Sequence, residues 1–107
     1  MAIVEVSIVP VGTGTPSVSR YVARAISILE NEKDVAYQLT PMGTIIEGDL
    51  DKVLSLVRQM HESGFDHEVQ RVLTTITIDD RRDKTSTMES KVNSVRSKLH
   101  PGASPAG

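Results

Sequence analysis

Apolar residues recur along the chain first at every second position and then at every third or fourth position. The segment Ile3 to Val9 alternates, with Ile3, Glu5, Ser7 and Val9 on the face opposite a wholly apolar one, which predicts a strand. The side predicted to be buried consists of Val4, Val6 and Ile8. Pro10 and the Gly12-Thr13-Gly14 sequence predict the end of this strand, because proline and glycine interrupt regular structure.

A helix is predicted next. Thr15 is a suitable N-cap, and Pro16 would occupy the first helical position, where a missing N–H costs nothing. Helical spacing then predicts one buried stripe, formed by Val18, Val22, Ala25, Ile26 and Leu29.

Two short strands and a second helix follow. Val35 to Leu39 and Thr44 to Glu47 are separated only by Pro41-Met42-Gly43, so they predict an antiparallel hairpin. Gly48 is predicted to end the hairpin, and Asp49 to cap the next helix, which closes at Ser63-Gly64. The buried stripe predicted for this helix is Leu50, Val53, Leu54, Val57 and Met60.

The last third of the chain predicts a strand, a charged turn and a third helix. The strand runs from about Val69 to Ile78, with one side formed by Val72, Thr74, Ile76 and Ile78. After the turn Asp79 to Lys84, Ser86 and Glu89 have the spacing of a capping box. The stripe of this helix is predicted to be Met88, Val92, Val95 and Leu99.

This order of elements predicts an α+β fold, the ferredoxin-like β-α-β-β-α-β sandwich with an additional C-terminal helix. We expect one domain over residues 1–100, followed by a disordered tail over 101–107, because the tail PGASPAG has only small residues, proline and glycine. The two main helices would cover one face of a four-stranded antiparallel sheet.

The other face of the predicted sheet has no element of its own to cover it. It would carry Val9, Leu73 and several serines and threonines, which is too apolar for a fully solvated surface. We therefore expect a homo-oligomer, in which a second subunit covers this face and the third helix reaches across as a clamp. A monomer whose third helix folds back on its own sheet is the alternative.

Composition excludes several classes of function. A net charge of −2 and three aromatic residues give no basic or stacking surface, so we expect no nucleic acid and no membrane as partners. The chain has no cysteine, which excludes disulfides and thiolate chemistry. The apolar runs are short and the N-terminus lacks a basic region, so a cytoplasmic protein is the expectation.

The sequence favours binding over catalysis. The three histidines have no ligand spacing for a metal, and no Gly-x-Ser-x-Gly turn is present, so we expect neither a metal nor a cofactor. The loop from Gly12 to Arg20 opens a helix and could bind an anion, as a small hydrolase would require, or it could be a plain turn. The run from Asp79 to Lys84 could bind a cation or phosphate, but alternating charges are more typical of a solvated corner that positions the third helix.

Glu47 is unusual because it follows Ile45 and Ile46 in a strand of β-branched residues. If Ile46 faces the helices, alternation places Glu47 on the opposite, subunit-covered face. A carboxylate there requires a partner. The partner could be Arg71 across the interface, in an ion pair, or a ligand held between subunits.

Several blocks of the sequence resemble the thiamine-binding protein family of YkoF-like fold. They are Ser17-Val18-Ser19, Tyr21-Val22-Ala23, YQLTPMGTIIEGDLD (37–51), RVLTTITIDDRRDK (71–84) and TMESKVNSV (87–95). The resemblance implies a ferredoxin-like subunit, sheet-to-sheet dimers assembled into tetramers, and binding of thiamine or its hydroxymethylpyrimidine moiety without catalysis.

The resemblance also implies a set of ligand-binding residues. Glu47 would accept a hydrogen bond from the aminopyrimidine, and Met42 would form an apolar wall against the ring. The remaining residues implied are Ser17, Ser19, Tyr37, Thr40, Gly43 and Thr44. A structural or regulatory oligomer that acts through protein partners without a small ligand is the alternative function.

Overall fold

The computed structural model describes residues 1–84 and 87–100. Its elements, in chain order, are β1 (Ala2–Val11), α1 (Ser19–Glu30), β2 (Ala36–Thr40), β3 (Gly43–Gly48), α2 (Leu50–Glu62), β4 (Arg71–Asp80) and α3 (Met88–Leu99). The predicted ferredoxin-like α+β fold with an added C-terminal helix is confirmed. The predicted tail, 101–107, lies outside the described residues.

The four strands form one antiparallel sheet in the order β2-β3-β1-β4. Helices α1 and α2 pack on one face of this sheet, and the core lies between them and the central strands. Its members from the sheet are Ala2, Val4, Val6 and Ile46, and those from the helices are Ala25, Ile26, Leu29, Val53, Leu56, Val57 and Met60. The predicted buried side of β1 is confirmed for Val4 and Val6, while Ile8 packs against the core and is partly buried.

The first strand is longer than the sequence predicts. Pro10 does not end β1 but lies within it, opposite Val72, and the strand continues to Val11. From Ser7 onward β1 pairs with β4 alone, because its register with β3 ends at Val6. A proline is tolerated there, since one side of the strand has no neighbour that would receive an N–H. The glycines after Val11 end the strand as predicted, with positive φ at Gly12 and Gly14.

The first helix begins later than predicted. Thr15 does not cap it and Pro16 is not its first residue, because α1 starts at Ser19 with Val18 at the N-cap position. The Thr15 hydroxyl instead accepts the N–H of Ser17 within the loop, so its cap-like chemistry shapes a turn. The buried side of α1 includes Tyr21, which the spacing of aliphatic residues alone did not predict.

The second helix confirms the predicted cap and corrects one core residue. The Asp49 side chain accepts the N–H of Lys52, as expected of an N-cap. Leu54 is exposed and Leu56 is buried, which reverses the prediction for Leu54. Both residues fit a helical period, and only the docking angle of α2 decides which of them faces the sheet.

The last strand spans Arg71–Asp80, two residues further along than predicted. Asp79 and Asp80, assigned to the turn by their charge, still pair with Ile3 and Ala2 of β1. Because β4 is an edge strand, Ile76 remains exposed even though it lies on the helix side.

The third helix exposes three members of its predicted apolar stripe, Val92, Val95 and Leu99, while Met88 is half-buried. No residue of α3 is buried, and the exposed fractions of Val92 and Val95 are 47% and 57%. Its N-cap is Thr87, whose hydroxyl accepts the Ser90 N–H while the Ser90 hydroxyl accepts the Thr87 N–H. The predicted cap Ser86 lies outside the described residues. Within the described part of the chain, none of the helices has the length and apolar character needed to cross a bilayer.

Candidate functional site

A groove of about 710 Å³ lies between α1 and the β2–β3 turn, and we call it the hairpin groove. Its floor is the half of β1 that extends beyond β3, and its walls are one side of α1 and the tip of the hairpin. The apolar residues lining it are Val6, Ile8, Val9, Val18, Val22, Ala23, Ala25, Ile26, Leu39, Pro41, Met42 and Met60. Ligand pockets typically combine such an apolar wall with a few polar groups.

The hairpin groove brings together five of the eight residues that the sequence implied as ligand contacts. These are Ser19, Thr40, Met42, Gly43 and Thr44. Ser17 lies instead in a neighbouring cavity of about 320 Å³, which also contains Ser19. Tyr37 pairs with Ile46 and packs against the core, so it does not line either cavity. Glu47 lies on the opposite face of the sheet.

Three residues with polar side chains line the groove but were not predicted as ligand contacts: Ser7, Tyr21 and Glu30. Ser7 lies in β1, with its side chain on the sheet face opposite that of Val6 and Ile8, and Glu30, the last residue of α1, contributes a carboxylate. Ser19 and Glu30 are eleven positions apart, which is three helical turns, so both fall on the same side of α1. The eleven-residue spacing was the signal in the sequence that could have placed Glu30 on the same side of the helix as Ser19.

The Thr40 hydroxyl is fully used by the hairpin turn. It accepts the N–H groups of Met42 and Gly43 at 3.3 and 3.1 Å and lies 2.8 Å from the Gly43 carbonyl, to which it donates. A hydroxyl has one proton and two lone pairs, so these three bonds leave no capacity for a ligand. In the unliganded chain Thr40 therefore acts by holding the shape of the turn.

Gly43 lies where β3 passes very close to β1. A Cβ added at Gly43 would be 2.9 Å from the Val6 carbonyl oxygen, which is backbone and cannot move aside cheaply. This close approach explains the glycine, and it places the mouth of the groove directly against β1.

Thr44 is a buried residue that lines the groove and has a hydroxyl. Thr44 is 5% exposed and lies on the helix side of β3, opposite Val6. Residues 1–84 and 87–100 provide no hydrogen-bond partner for its hydroxyl. Every fully buried side-chain oxygen in this part of the chain has a partner, so the unpaired Thr44 hydroxyl is not fully buried. The Thr44 hydroxyl therefore reaches the open volume of the groove and is available to a ligand.

Glu47 is bound to the third helix. Its Oε2 accepts the backbone N–H of Met88, the first residue of α3, at 2.8 Å. Arg71 lies at the other end of β4, opposite Val11, so Glu47 and Arg71 cannot pair within one chain. The partner of Glu47 in the described chain is thus neither Arg71 nor a residue of the groove; a pairing across subunits stays a prediction.

The smaller cavity borders a charged network around Tyr21. The Tyr21 hydroxyl donates to Asp66 at 2.9 Å and accepts from Nη2 of Arg20 at 2.9 Å. The pKa of Asp66 is lowered mainly by the hydrogen bond from Tyr21, while burial of the carboxylate acts in the opposite direction and raises this pKa. The N–H groups of Glu68 and Val69 and the charge of Arg20 lower the pKa further. Arg20 also pairs with Glu68 at 3.4 Å, so its charge is balanced within the network.

The charged corner after β4 is held by pairs between neighbours. Arg81 pairs with Asp83, and Arg82 pairs with Asp80 at 2.8 Å. Lys91 of α3 reaches Asp79 at 2.8 Å, which links the corner to the third helix as the sequence analysis expected. Exposed pairs of this kind contribute little individually.

Comparison with known proteins gives consistent matches along almost the whole chain. The UPF0045 protein YqgV of Bacillus subtilis is 51% identical over 104 residues, which cover 94% of this chain and all of the relative. A solved structure of a hypothetical protein from Methanocaldococcus jannaschii has a TM-score of 0.80 at 37% identity, covering 89% of this chain and 95% of that chain.

A third match concerns the fold alone. A Thermotoga maritima protein, described as a candidate for thiamine biosynthesis or salvage, has a TM-score of 0.70 at 21% identity and covers 89% of this chain and 98% of its own. The sequence model of the family described as thiamine-binding protein matches residues 4–96. The chain therefore belongs to the thiamine-binding protein family.

Proposed function

We propose that this chain is a non-catalytic, cytoplasmic binding protein for thiamine or its hydroxymethylpyrimidine moiety, and that the hairpin groove is its binding site. The observation that carries the proposal is the groove itself, an apolar cleft of about 710 Å³ with the free Thr44 hydroxyl at its base. A flat heteroaromatic ring needs apolar walls for stacking and a small number of placed hydrogen-bonding groups. Met42 and Leu39 provide the wall at the hairpin tip.

The lining of the groove supports binding rather than catalysis. Among the described residues that line it, the titratable side chains are Tyr21, whose hydroxyl is engaged with Asp66, and Glu30. Nucleophilic or acid–base catalysis requires a nucleophile and a base within hydrogen-bond reach of each other. In the described part of the chain, neither Glu30 nor Tyr21 forms a hydrogen bond with the hydroxyl of Ser7, Ser19 or Thr44.

We also propose that the active form is a homo-oligomer, built from sheet-to-sheet dimers that pair into tetramers. The open face of the sheet carries Leu73, which is 56% exposed, and Val9, which is also exposed. Val92, Val95 and Leu99 add an exposed apolar stripe on α3, whose N-terminus is fixed to the same face by Glu47. This exposed apolar surface is what supports the alternative function, a structural or regulatory oligomer that acts through protein partners.

Calorimetric titration with thiamine, thiamine diphosphate and hydroxymethylpyrimidine tests the proposed function. We expect saturable heat and a raised melting temperature with thiamine or the pyrimidine, since a ligand that binds only the folded state stabilises it. The variant Ala23→Phe should block the groove, because Ala23 lines it and is exposed. The control Ser55→Phe places the same ring at an exposed position of α2 that does not line the groove, and it should bind normally.

The two functions give opposite results in this experiment. If no ligand produces heat or a thermal shift at millimolar concentration while light scattering reports a tetramer, the structural oligomer is the better description. Equal binding by wild type and Ala23→Phe would mean that the ligand binds outside the hairpin groove.

A further inference from the structure

Strand β4 ends the sheet with an edge that no other strand covers. The sheet order β2-β3-β1-β4 places β4 last, so within residues 1–84 and 87–100 only its β1 side is paired. The strand has 10 residues, and its register with β1 is continuous from Arg71 to Asp80. An exposed strand edge presents a row of unpaired N–H and C=O groups, which can pair with another chain.

The sequence of β4 lacks the features that usually protect such an edge. Proteins prevent pairing at an edge with a short strand, lysine, proline or a bulge. The strand RVLTTITIDD contains no proline, glycine or lysine, and its central residues, 72–78, are uncharged and mostly β-branched. Its charges lie at its ends, with Arg71 at one end and Asp79 and Asp80 at the other. The edge is therefore suited to pairing with a further strand.

Alternate residues of β4 direct their backbone groups to opposite sides. A Cβ at Gly43 of β3 would meet the carbonyl oxygen of Val6, so even-numbered residues of β1 face β3 and odd-numbered residues face β4. Pro10, which has no N–H, fits this arrangement because its nitrogen faces away from β4. The register places odd residues of β1 opposite odd residues of β4. The residues of β4 whose N–H and C=O groups point to the open edge are therefore Val72, Thr74, Ile76 and Ile78.

Apolar side chains along the open edge are exposed on the helix side of the sheet. Ile76 and Ile78 are 43% and 45% exposed. Leu54 of α2 is exposed as well, and it lies about two helical turns before His61, whose Nδ1 is 2.6 Å from the Thr74 hydroxyl. Leu54 therefore lies on the side of α2 that faces β4. A second chain placed beside β4 would cover this apolar border.

We propose that β4 pairs antiparallel with β4 of a second copy of this chain, so that two subunits share one continuous sheet. This inference rests on the homo-oligomer of the proposed function and adds an interface to it. Thr75 lies opposite its own copy, and Arg71 lies opposite the partner's Asp79. The pairs that exchange backbone hydrogen bonds are Val72 with the partner's Ile78 and Thr74 with the partner's Ile76.

The charges at the ends of β4 favour this register. In residues 1–84 and 87–100 Arg71 forms no ion pair, so its guanidinium is available to a partner. Opposite charges directly across two strands attract, and like charges repel. A parallel arrangement would bring the two copies of Arg71 together. Side chains keep their face only if the strand shifts by two residues, and such a shift places Arg71 opposite Thr77 or Arg81 instead of Asp79.

The other open edge of the sheet, β2, is a poorer partner for β4. Strand β2 has 5 residues, against 10 in β4, so half of β4 would stay unpaired. A contact between β4 and β2 is also heterologous, and it would repeat from subunit to subunit into a filament. Pairing of β4 with its own copy closes about a two-fold axis and uses the full strand.

Single-cysteine variants test the register, because the chain has no cysteine of its own. We expect Thr75→Cys to form a disulfide between subunits under mild oxidation. Its two copies face each other at a non-hydrogen-bonded position, where Cα atoms are about 4.5 Å apart and within disulfide range. Thr77→Cys is the matched control, since Thr77 is also exposed on the same sheet face. It lies opposite the partner's Leu73, so its two copies are about 13 Å apart along the strands and should not crosslink.

A proline variant tests the backbone hydrogen bonds. Ile76→Pro removes an N–H that points away from β1, so the β1–β4 ladder keeps its bonds while pairing at the open edge is blocked. We expect light scattering to show that the mass of the assembly falls by half. Ile76→Thr keeps the N–H and should retain the wild-type mass. Circular dichroism establishes that both variants are folded.

The outcomes separate this interface from the rest of the proposed function. Equal crosslinking of Thr75→Cys and Thr77→Cys, or none in either, overturns the pairing of β4, as does an unchanged mass in folded Ile76→Pro. These results leave ligand binding and the sheet-to-sheet contact standing. Selective crosslinking of Thr75→Cys together with a halved mass in Ile76→Pro supports the pairing, even in a protein that binds none of the three ligands. A wild type that is monomeric at all concentrations overturns both this interface and the proposed oligomer.

Discussion

The backbone N–H of Met88 donates to Oε2 of Glu47 over 2.8 Å, which fastens the first turn of α3 to the open face of the sheet. A carboxylate at a helix N-terminus satisfies an N–H that has no partner within the helix and interacts favourably with the helix dipole. Asp79 adds a second contact through Lys91. Glu47 and Asp79 flank Ile3 on either side in one row across the sheet, so both contacts fall at the same end of the strands.

Removing the Glu47 side chain should therefore loosen α3 and leave the sheet intact. We expect Glu47→Ala to lower the free energy of unfolding by about 1 kcal/mol, the size of a lost helix cap, and to increase amide hydrogen exchange over residues 88–91. Glu47→Gln retains an acceptor oxygen, so its free energy of unfolding and its amide exchange over residues 88–91 should change less than in Glu47→Ala. Hydrogen exchange followed by mass spectrometry gives the measurement.

Glu5→Ala is the control for that change, because Glu5 lies on the same sheet face, is exposed and, among residues 1–84 and 87–100, pairs through the β ladder alone. It should leave exchange in α3 unaltered. If Glu47→Ala removes thiamine binding while exchange over α3 is unchanged, Glu47 contacts the ligand and the anchoring role is wrong.

The apolar stripe of α3 should govern assembly and not the stability of the subunit. The double change Val92→Lys and Val95→Lys alters two exposed side chains, so subunit stability should change by less than about 0.5 kcal/mol for each. In an interface, the same two charges would be desolvated, and the oligomer should dissociate. Light scattering measures the mass of the assembly in the double variant and in the wild type.

The control for added charge is Ser94→Lys with Ser97→Lys, which introduces the same two lysines at exposed positions of the same helix. It should retain the wild-type mass. A wild-type protein that is monomeric at all concentrations would contradict the proposed assembly directly.

Tyr21→Phe should reduce stability in a manner that depends on pH. The Tyr21 hydrogen bond lowers the pKa of Asp66 below its ordinary value of 3.8, so ionised Asp66 stabilises the folded state. This contribution is complete above the ordinary pKa and is lost as pH falls through the lowered pKa. Denaturant unfolding should therefore separate wild type from Tyr21→Phe at neutral pH, and the difference should shrink toward pH 3.

Tyr37→Phe provides the comparison, since Tyr37 is also partly buried in the core but does not bond Asp66. Its effect on stability should be the same at both pH values. An equal, pH-independent loss in Tyr21→Phe would mean that the hydroxyl contributes by packing alone.

The fold was predictable because local patterns and global topology agree. Alternation in β1 and β4 assigned each side chain to the correct face, and Asp49 marked the start of α2. The errors occur where a tertiary contact outweighs a local rule. Pro10 continues a strand because that stretch of β1 has one neighbour, and Leu56 replaces Leu54 because docking fixes the rotation of α2.

The candidate site was only partly predictable, since strand parity does not locate a groove. The residues around the hairpin turn were found because the turn is local in sequence. Glu47 was placed on the correct face, yet its partner came from a helix 41 residues away, which no local pattern reveals. Glu30 was missed because a glutamate at a helix end is ordinary until the groove beside it is known.

Thr40→Val should destabilise the hairpin that forms one wall of the groove. The change removes a hydroxyl that accepts two backbone N–H groups and donates to one carbonyl, so it leaves partly buried backbone groups without partners. We expect a loss of about 1–2 kcal/mol in the free energy of unfolding, measured in urea. Thr40→Ser keeps the hydroxyl and should recover most of the stability and all of the ligand affinity. A Thr40→Val protein with wild-type stability and selectively lost binding would instead make the Thr40 hydroxyl a direct ligand contact.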